Sequence, residues 1–253
     1  MIYTQLIQRM EALADEQQAT HLMRFFKTGP GEYGEGDRFL GLRVPQTRAL
    51  VKEFRSQAGM ADIPPLLDSP WHEVRLAGFL LLIELYQQAK KRRDDTMLCH
   101  IVDFYLSAIE HGNNWDLVDV VAPKILGDYL LDRPEERHLL YQLAAMDGRL
   151  WHQRVAMVAT WTMISGGEYD DALRLAEGFL THRHDLMHKA SGWMMREIGK
   201  RGGMTHLLDF LDRHAPHMPR TMLRYAIERL SPEQRQYYMK LTDSAMRSTK
   251  YKN

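Results

Sequence analysis

The stretch HDLMHKASGWMMREIGK, residues 184–200, carries two patterns at once. Lys189, Trp193, Arg196 and Lys200 stand at i, i+4, i+7 and i+11, one face of a helix. Met187, Ala190, Met194 and Ile198 fall on the other side and supply an apolar stripe for a core. The same element recurs. "QRVAM" (153–157), "HKASG" (188–192) and "LRYAI" (223–227) each set a basic residue before a small-residue helix surface. The basic residues Arg154, Lys189 and Arg224 are separated by 35 and 35 positions, and 35 further back lies Asp119. "EVRLAG" (73–78), with Arg75, is a looser upstream echo. A period in the mid-thirties with two helices per unit is the pattern of a HEAT-like α-solenoid. Equivalent positions of stacked units line up, so Asp119, Arg154, Lys189 and Arg224 are expected in a row on a concave basic face.

The rest of the chain agrees with an all-α fold. Helical spacing covers 68–86, 97–109, 114–132, 137–145, 151–164, 169–181, 185–199, 204–214, 220–230 and 232–244, and no stretch alternates as a strand does. Ser69-Pro70 reads as a cap and first-turn pair. Short polar or Gly/Pro joints separate the blocks, so neighbours are expected to pack as antiparallel pairs. The expectation is one HEAT-like domain over 1–253. Residues 1–45 would hold N-terminal helices and a glycine-rich loop, and 246–253 a flexible tail.

Composition bounds the function. The formal net charge is zero, yet residues 151–253 hold 16 Lys+Arg against 11 Asp+Glu, which leaves the first 150 at −5. Seven of the twelve histidines also lie in that later part, a bias that suits phosphate. No eighteen-residue apolar run and no secretory signal pattern occur, so a cytoplasmic protein is expected. The single Cys99 excludes a disulfide within the chain and is expected to be buried.

Several stretches invite a chemical reading. In NNWDLVDVVAPKILGDYL (113–130), Trp115 and Asp119 are one helical turn apart and share a face. A carboxylate on a half-buried helix face is costly unless something uses it. The face of Trp193 has two readings: an aromatic among cations for sugar, base and phosphate contacts, or an indole covered by long basic stems. "HDLMH" (184–188) resembles a zinc-protease helix, but its acid is Asp185, better read as an N-cap or first-turn residue, and a third ligand is missing. No metal or other cofactor is therefore expected. The loop KTGPGEYGEGDRFLGLRVP (27–45) is glycine-rich, but no strand leads into it and no Gly-Lys-Ser/Thr follows, which favours a connection over a nucleotide loop.

Five segments, FLGLRVPQTRALVKEF, NNWDLVDVVAPKILGDYL, LWHQRVAMVATW, HDLMHKASGWMMREIGK and MPRTMLRYAIERL, together resemble the AlkD-like DNA alkylation repair family over residues 24–230. The resemblance implies stacked HEAT-like pairs that hold duplex DNA, and a glycosylase for cationic N3- and N7-alkylated purines. Residue by residue, it implies Asp119 as the catalytic carboxylate, Trp115 and Trp193 as the two indoles, and Arg154 as the arginine beside them. Arg196 is retained as well, and Lys189, Lys200 and Arg224 complete the expected DNA contacts. Asn114 stands where another aromatic can occur. The implied partner is duplex DNA containing alkylated purines, bound by a monomer away from membranes. The open alternative is a non-catalytic scaffold for DNA or protein.

Overall fold

The structure, a computed structural model, describes residues 1–250, with side chains through Leu241. Among these residues every regular element is helical, and the only β-type contact is an isolated bridge between Arg38 and Trp71. Two compact units divide the chain, Met1–Val121 and Ala122–Asn253.

The first unit begins with α1 (Ile2–Glu11) and α2 (Glu16–Phe25). The chain breaks after Glu11. Asp15 then caps α2, its side chain accepting the Gln18 N–H at 3.0 Å. After the glycine-rich loop come α3 (Val44–Phe54), with Pro45 in its first turn, and α4 (Ile63–Leu67). Next is α5 (His72–Arg92), which is buried almost all round from His72 to Ile83 and packs against α3, α4, α6 and α7. It starts later than Ser69-Pro70 suggests. Arg38 O accepts the His72 N–H at 2.7 Å, which holds Trp71 extended as the cap. The unit closes with α6 (Asp95–Ser107) and α7 (Trp115–Val121). Leu98, Ile101, Val102 and Tyr105 form the buried stripe of α6. Cys99 lies off that stripe and is exposed, which corrects the expectation of a buried thiol.

One buried carboxylate organises the entry to α3. Glu73 accepts the backbone N–H groups of Leu40, Gly41 and Leu42 at 2.9, 2.8 and 3.1 Å. Those amides have no ladder partner, so the side chain replaces the hydrogen bonds that a strand would have provided.

The second unit opens with a π-helical segment, Pro123–Gly127, followed by α8 (Asp128–Leu131). The sequence suggests one continuous helix over 114–132. Pro123 has no N–H for the ladder, and its carbonyl oxygen accepts the Thr162 hydroxyl at 2.6 Å, so the regular pattern is interrupted there. Then follow α9 (His138–Ala144), α10 (Leu150–Ser165), α11 (Asp170–Gly178), α12 (Asp185–Lys200), α13 (Met204–His214), α14 (Arg220–Ala226) and α15 (Pro232–Lys250). Residues 251–253, the end of the expected tail, lie outside the described residues.

The repeat is realised here. α10 packs on α12 and α12 on α14, while α9, α11 and α13 fill the outer places beside them. Two residues after each repeat cation, Ala156, Ser191 and Ala226 are all buried. At Gly192 the backbones come so close that a Cβ would stand 2.4 Å from Met222 O, so only glycine fits that crossing. The stripe Met187, Ala190, Met194 and Ile198 is fully buried, as its spacing requires.

Candidate active site

In the first unit the geometry centres on the first turn of α7. Asn114, fully buried, accepts the Trp115 N–H at its Oδ1 (2.9 Å), and its amide donates to Phe26 O at 3.4 Å. An amide side chain in place of an aromatic thus clamps the start of the helix to the end of α2. Gly34 makes the clamp possible: a Cβ there would meet Phe26 O at 2.6 Å and the Asn114 amide nitrogen at 3.0 Å. Trp115 is half-buried against Phe26 and Phe25, with ring centroids 5.4 and 6.0 Å away. Asp119 follows one turn later, also half-buried. Burial, and then the negative charge of Asp119, push the Tyr105 hydroxyl far above its ordinary pKa, so it stays a neutral phenol beside the carboxylate.

Beneath this turn lies a charged network that sequence reasoning missed. His72 donates from Nδ1 to Asp37 Oδ2 and from Nε2 to Asp116 Oδ2, both at 2.8 Å. Arg75 Nη2 donates to Asp37 Oδ1 at 2.5 Å and to Asn113 Oδ1 at 2.9 Å, and its other nitrogens reach the backbone carbonyls of His111 and Ser69. Phe26 and Phe39 stack on the imidazole, with centroids 5.1 and 4.5 Å away. Burial disfavours the charged imidazole, but Asp116 and then Asp37 outweigh it and raise the His72 pKa to about 9. Burial also raises the Asp37 carboxyl, yet His72 and then Arg75 overcome this and hold it below the ordinary range. Arg75, the loose echo of the repeat cations, therefore serves this network rather than an exposed row. The partners lie 35 and 44 positions from His72, on a loop and on another helix, so no spacing within one helix links them. The only hint was a second acid, Asp116, directly after the tryptophan.

In the second unit Arg154, on α10, is buried, and its Nη1 donates to Leu186 O at 2.6 Å, in the first turn of α12. Trp193, on α12, is half-buried. The expected DNA contacts Lys189, Arg196 and Lys200 face carboxylates of their own unit. Lys189 pairs with Asp185 at 2.8 Å, Arg196 with Glu228 and with Glu197 at 3.8 Å, and Lys200 with Glu197 at 3.9 Å. Arg224 is exposed on α14. The row of cations in this unit is thus one buried arginine and a set of neutralised or exposed side chains.

The "HDLMH" stretch is used up by helix geometry. The ring of His184 caps α12 by accepting the Leu186 N–H at 3.2 Å, Asp185 is the first-turn acid, and His188 Nε2 donates to His182 O at 2.5 Å. In the glycine-rich loop, the Gly29 and Gly31 amides already bond Glu32 and Glu35 at 2.9 and 2.8 Å. Amides that face the loop's own carboxylates form no phosphate cradle, and the segment acts as a connection.

Comparison with known proteins bears on this arrangement. A family model described as "DNA alkylation repair enzyme" matches residues 6–230. The chain belongs to the DNA alkylation repair enzyme family. Its fold is similar to that of a solved structure, a predicted DNA alkylation repair enzyme from Enterococcus faecalis. That likeness has a TM-score of 0.67 at 15% identity and covers 87% of this chain and 97% of the other. A search of curated proteins found no match. Membership makes a role in repair of alkylated DNA the family-level function of the chain. Among the described residues, no helix is long and apolar enough to cross a membrane.

Proposed function

We propose that this member of the DNA alkylation repair family is a DNA glycosylase that removes cationic N3- and N7-alkylated purines from duplex DNA. The observation that carries the reading is the pairing of Trp115 with Asp119 across one turn of α7, the carboxylate being half-buried beside a neutral Tyr105. A half-buried carboxylate costs desolvation, and it is well placed to interact with positive charge that develops beside it.

The substrate chemistry supplies that charge. An N3- or N7-alkylated purine carries a positive charge, so when the C1′–N bond breaks the base leaves with the bonding electrons as a neutral molecule. No acid has to protonate it. Positive charge then develops on the deoxyribose, and Asp119 would stabilise it and orient the water that attacks C1′. That water loses its proton to the carboxylate or to solvent, leaving an abasic sugar. Trp115 would offer its ring face to the cationic sugar, and Trp193 is assigned the same role by the family resemblance. Arg154 would hold a phosphate next to the lesion. Its Nη1 donates to Leu186 O in the free protein, so holding a phosphate would mean sharing or exchanging the partners it already has. Lys189, Arg196, Lys200 and Arg224 would contact the backbone, the first three exchanging their carboxylates for phosphate. The Lys189–Asp185 pair is exposed and contributes only about 0–1 kcal/mol, and the buried Glu197 keeps Arg201 at 3.3 Å when Arg196 and Lys200 turn away.

The test is release of N7-methylguanine and N3-methyladenine from methylated duplex DNA. Asp119→Asn should bind the duplex but release little base. The same pairing of the three cations also favours a second reading, a scaffold that binds without chemistry. Equal, background-level release by the parent and by Asp119→Asn would support the scaffold and defeat the glycosylase.

A further inference from the structure

We propose that His72 is a positioning residue. As an imidazolium bridging Asp37 and Asp116, it fixes the first turn of α7 and thereby sets where Trp115 and Asp119 stand. The inference rests on the reading of that pair as the reacting groups, and it adds a regulating proton that no motif announces.

The geometry leaves little freedom. Both ring nitrogens of His72 are engaged at 2.8 Å by carboxylates from two different elements, the segment before α3 and the first turn of α7. Only a ring protonated at both nitrogens can donate to both. Phe26 and Phe39, themselves 5.3 Å apart, both pack against the ring, an arrangement that suits a cation. Phe26 in turn packs on Trp115, and its carbonyl receives the Asn114 amide. The tryptophan is thus coupled to the imidazole through a shared neighbour as well as through Asp116, its adjacent residue. The groups that set the charge of His72 are few. Asp37 comes from the loop, Asp116 from α7, and Arg75 from its own helix, with Asp37 between them. Glu73, next in sequence, is occupied by the amides of Leu40, Gly41 and Leu42. The segment before α5 contributes Arg38, whose guanidinium sits over the Trp71 ring and whose carbonyl receives the His72 N–H.

Loss of one proton would remove one of the two hydrogen bonds and leave a carboxylate without its donor. Asp116 is the partner exposed to that change. Its second oxygen, Oδ1, is buried without a hydrogen-bond partner, so His72 is the fixed point of that carboxylate. With His72 neutral and donating to Asp37, Asp116 would reorient toward water and carry the first turn of α7 with it. Below the titration the pair is held; above it, it is released.

The experiment uses the full chain and reads position apart from activity. The His72 ring signals, identified by their loss in His72→Gln, are titrated by NMR between pH 6 and pH 11. In parallel, the emission of Trp115 is taken as the difference between the parent and Trp115→Phe. Circular dichroism over the same range separates a local change from unfolding. The inference expects both curves to share one midpoint near the raised His72 value of about 9. In Asp116→Asn both midpoints should fall together by about one pH unit or more, since an opposite charge at hydrogen-bond distance is lost. A merely structural His72 would lower the melting temperature of the variants without moving the Trp115 midpoint. A His72 that titrates below pH 7 in the parent, or a Trp115 signal that stays flat while His72 titrates, overturns the inference. Base release measured at the same pH values keeps the two ideas apart. Absence of release at every pH would sink the glycosylase and leave the NMR and emission curves to decide on His72.

Discussion

Arg154 Nη1 stands 2.6 Å from the carbonyl oxygen of Leu186, and the arginine is 4% exposed. The residue that the family resemblance assigns to DNA is therefore also a bolt between α10 and the first turn of α12. Hydrogen bonds to charged groups contribute about 1.5–3 kcal/mol, and the partner left behind is a buried carbonyl. Arg154→Ala should consequently lose about 2 kcal/mol of stability as well as base release. Urea unfolding of the variant checks the first loss and a single-turnover assay the second. Full stability in Arg154→Ala would mean that the Leu186 contact contributes nothing.

Stability should also depend on pH through His72. Its folded pKa is raised, from an ordinary value near 6.5 to about 9, so the bridge contributes fully below pH 6.5. The contribution is lost as pH rises through 9. By linkage a shift of this size corresponds to an amount on the order of 3 kcal/mol. Unfolding midpoints in urea at pH 7 and pH 10 should therefore differ in the parent and much less in His72→Gln. An equal drop in both proteins would place the alkaline destabilisation elsewhere.

The cations of α12 make a separate prediction about DNA. Lys189, Arg196 and Lys200 pair with acids in the free protein, so each has to give up its partner to reach a phosphate. Replacing any one with glutamine should weaken duplex binding and reduce the slope of log affinity against log salt by about one. Fluorescence anisotropy at several salt concentrations measures the slope. A slope unchanged by all three substitutions would remove this face from the DNA-binding surface.

How far the sequence could be read follows from how local each feature is. The stacking of α10, α12 and α14 shows in Ala156, Ser191 and Ala226 because a crossing of helices demands small residues at the same place in every repeat. Trp115 and Asp119 were legible for a similar reason, one turn of helix being a fixed spacing. The interruption at Pro123 is masked because an apolar period continues through it, although the residue itself lacks the N–H that the ladder needs. The apolar neighbours of Cys99 suggest the core, yet the stripe of α6 runs through Leu98 and Val102 and leaves it outside. The network of Asp37, His72, Arg75 and Asp116 had no such signature. Its members come from three elements joined only by folding, and Arg75 by itself reads as an echo of the repeat cations rather than as a partner of Asp37.

The central claim is that the Asp119 carboxylate meets a deoxyribose as it turns positive. The most direct measurement is the single-turnover rate of N7-methylguanine release from duplex DNA, compared between the parent and Asp119→Asn at saturating protein. The account predicts a fall of about a hundredfold or more, the scale for removing one preorganised electrostatic group, with duplex affinity retained. Release by Asp119→Asn at the parent's rate would contradict it.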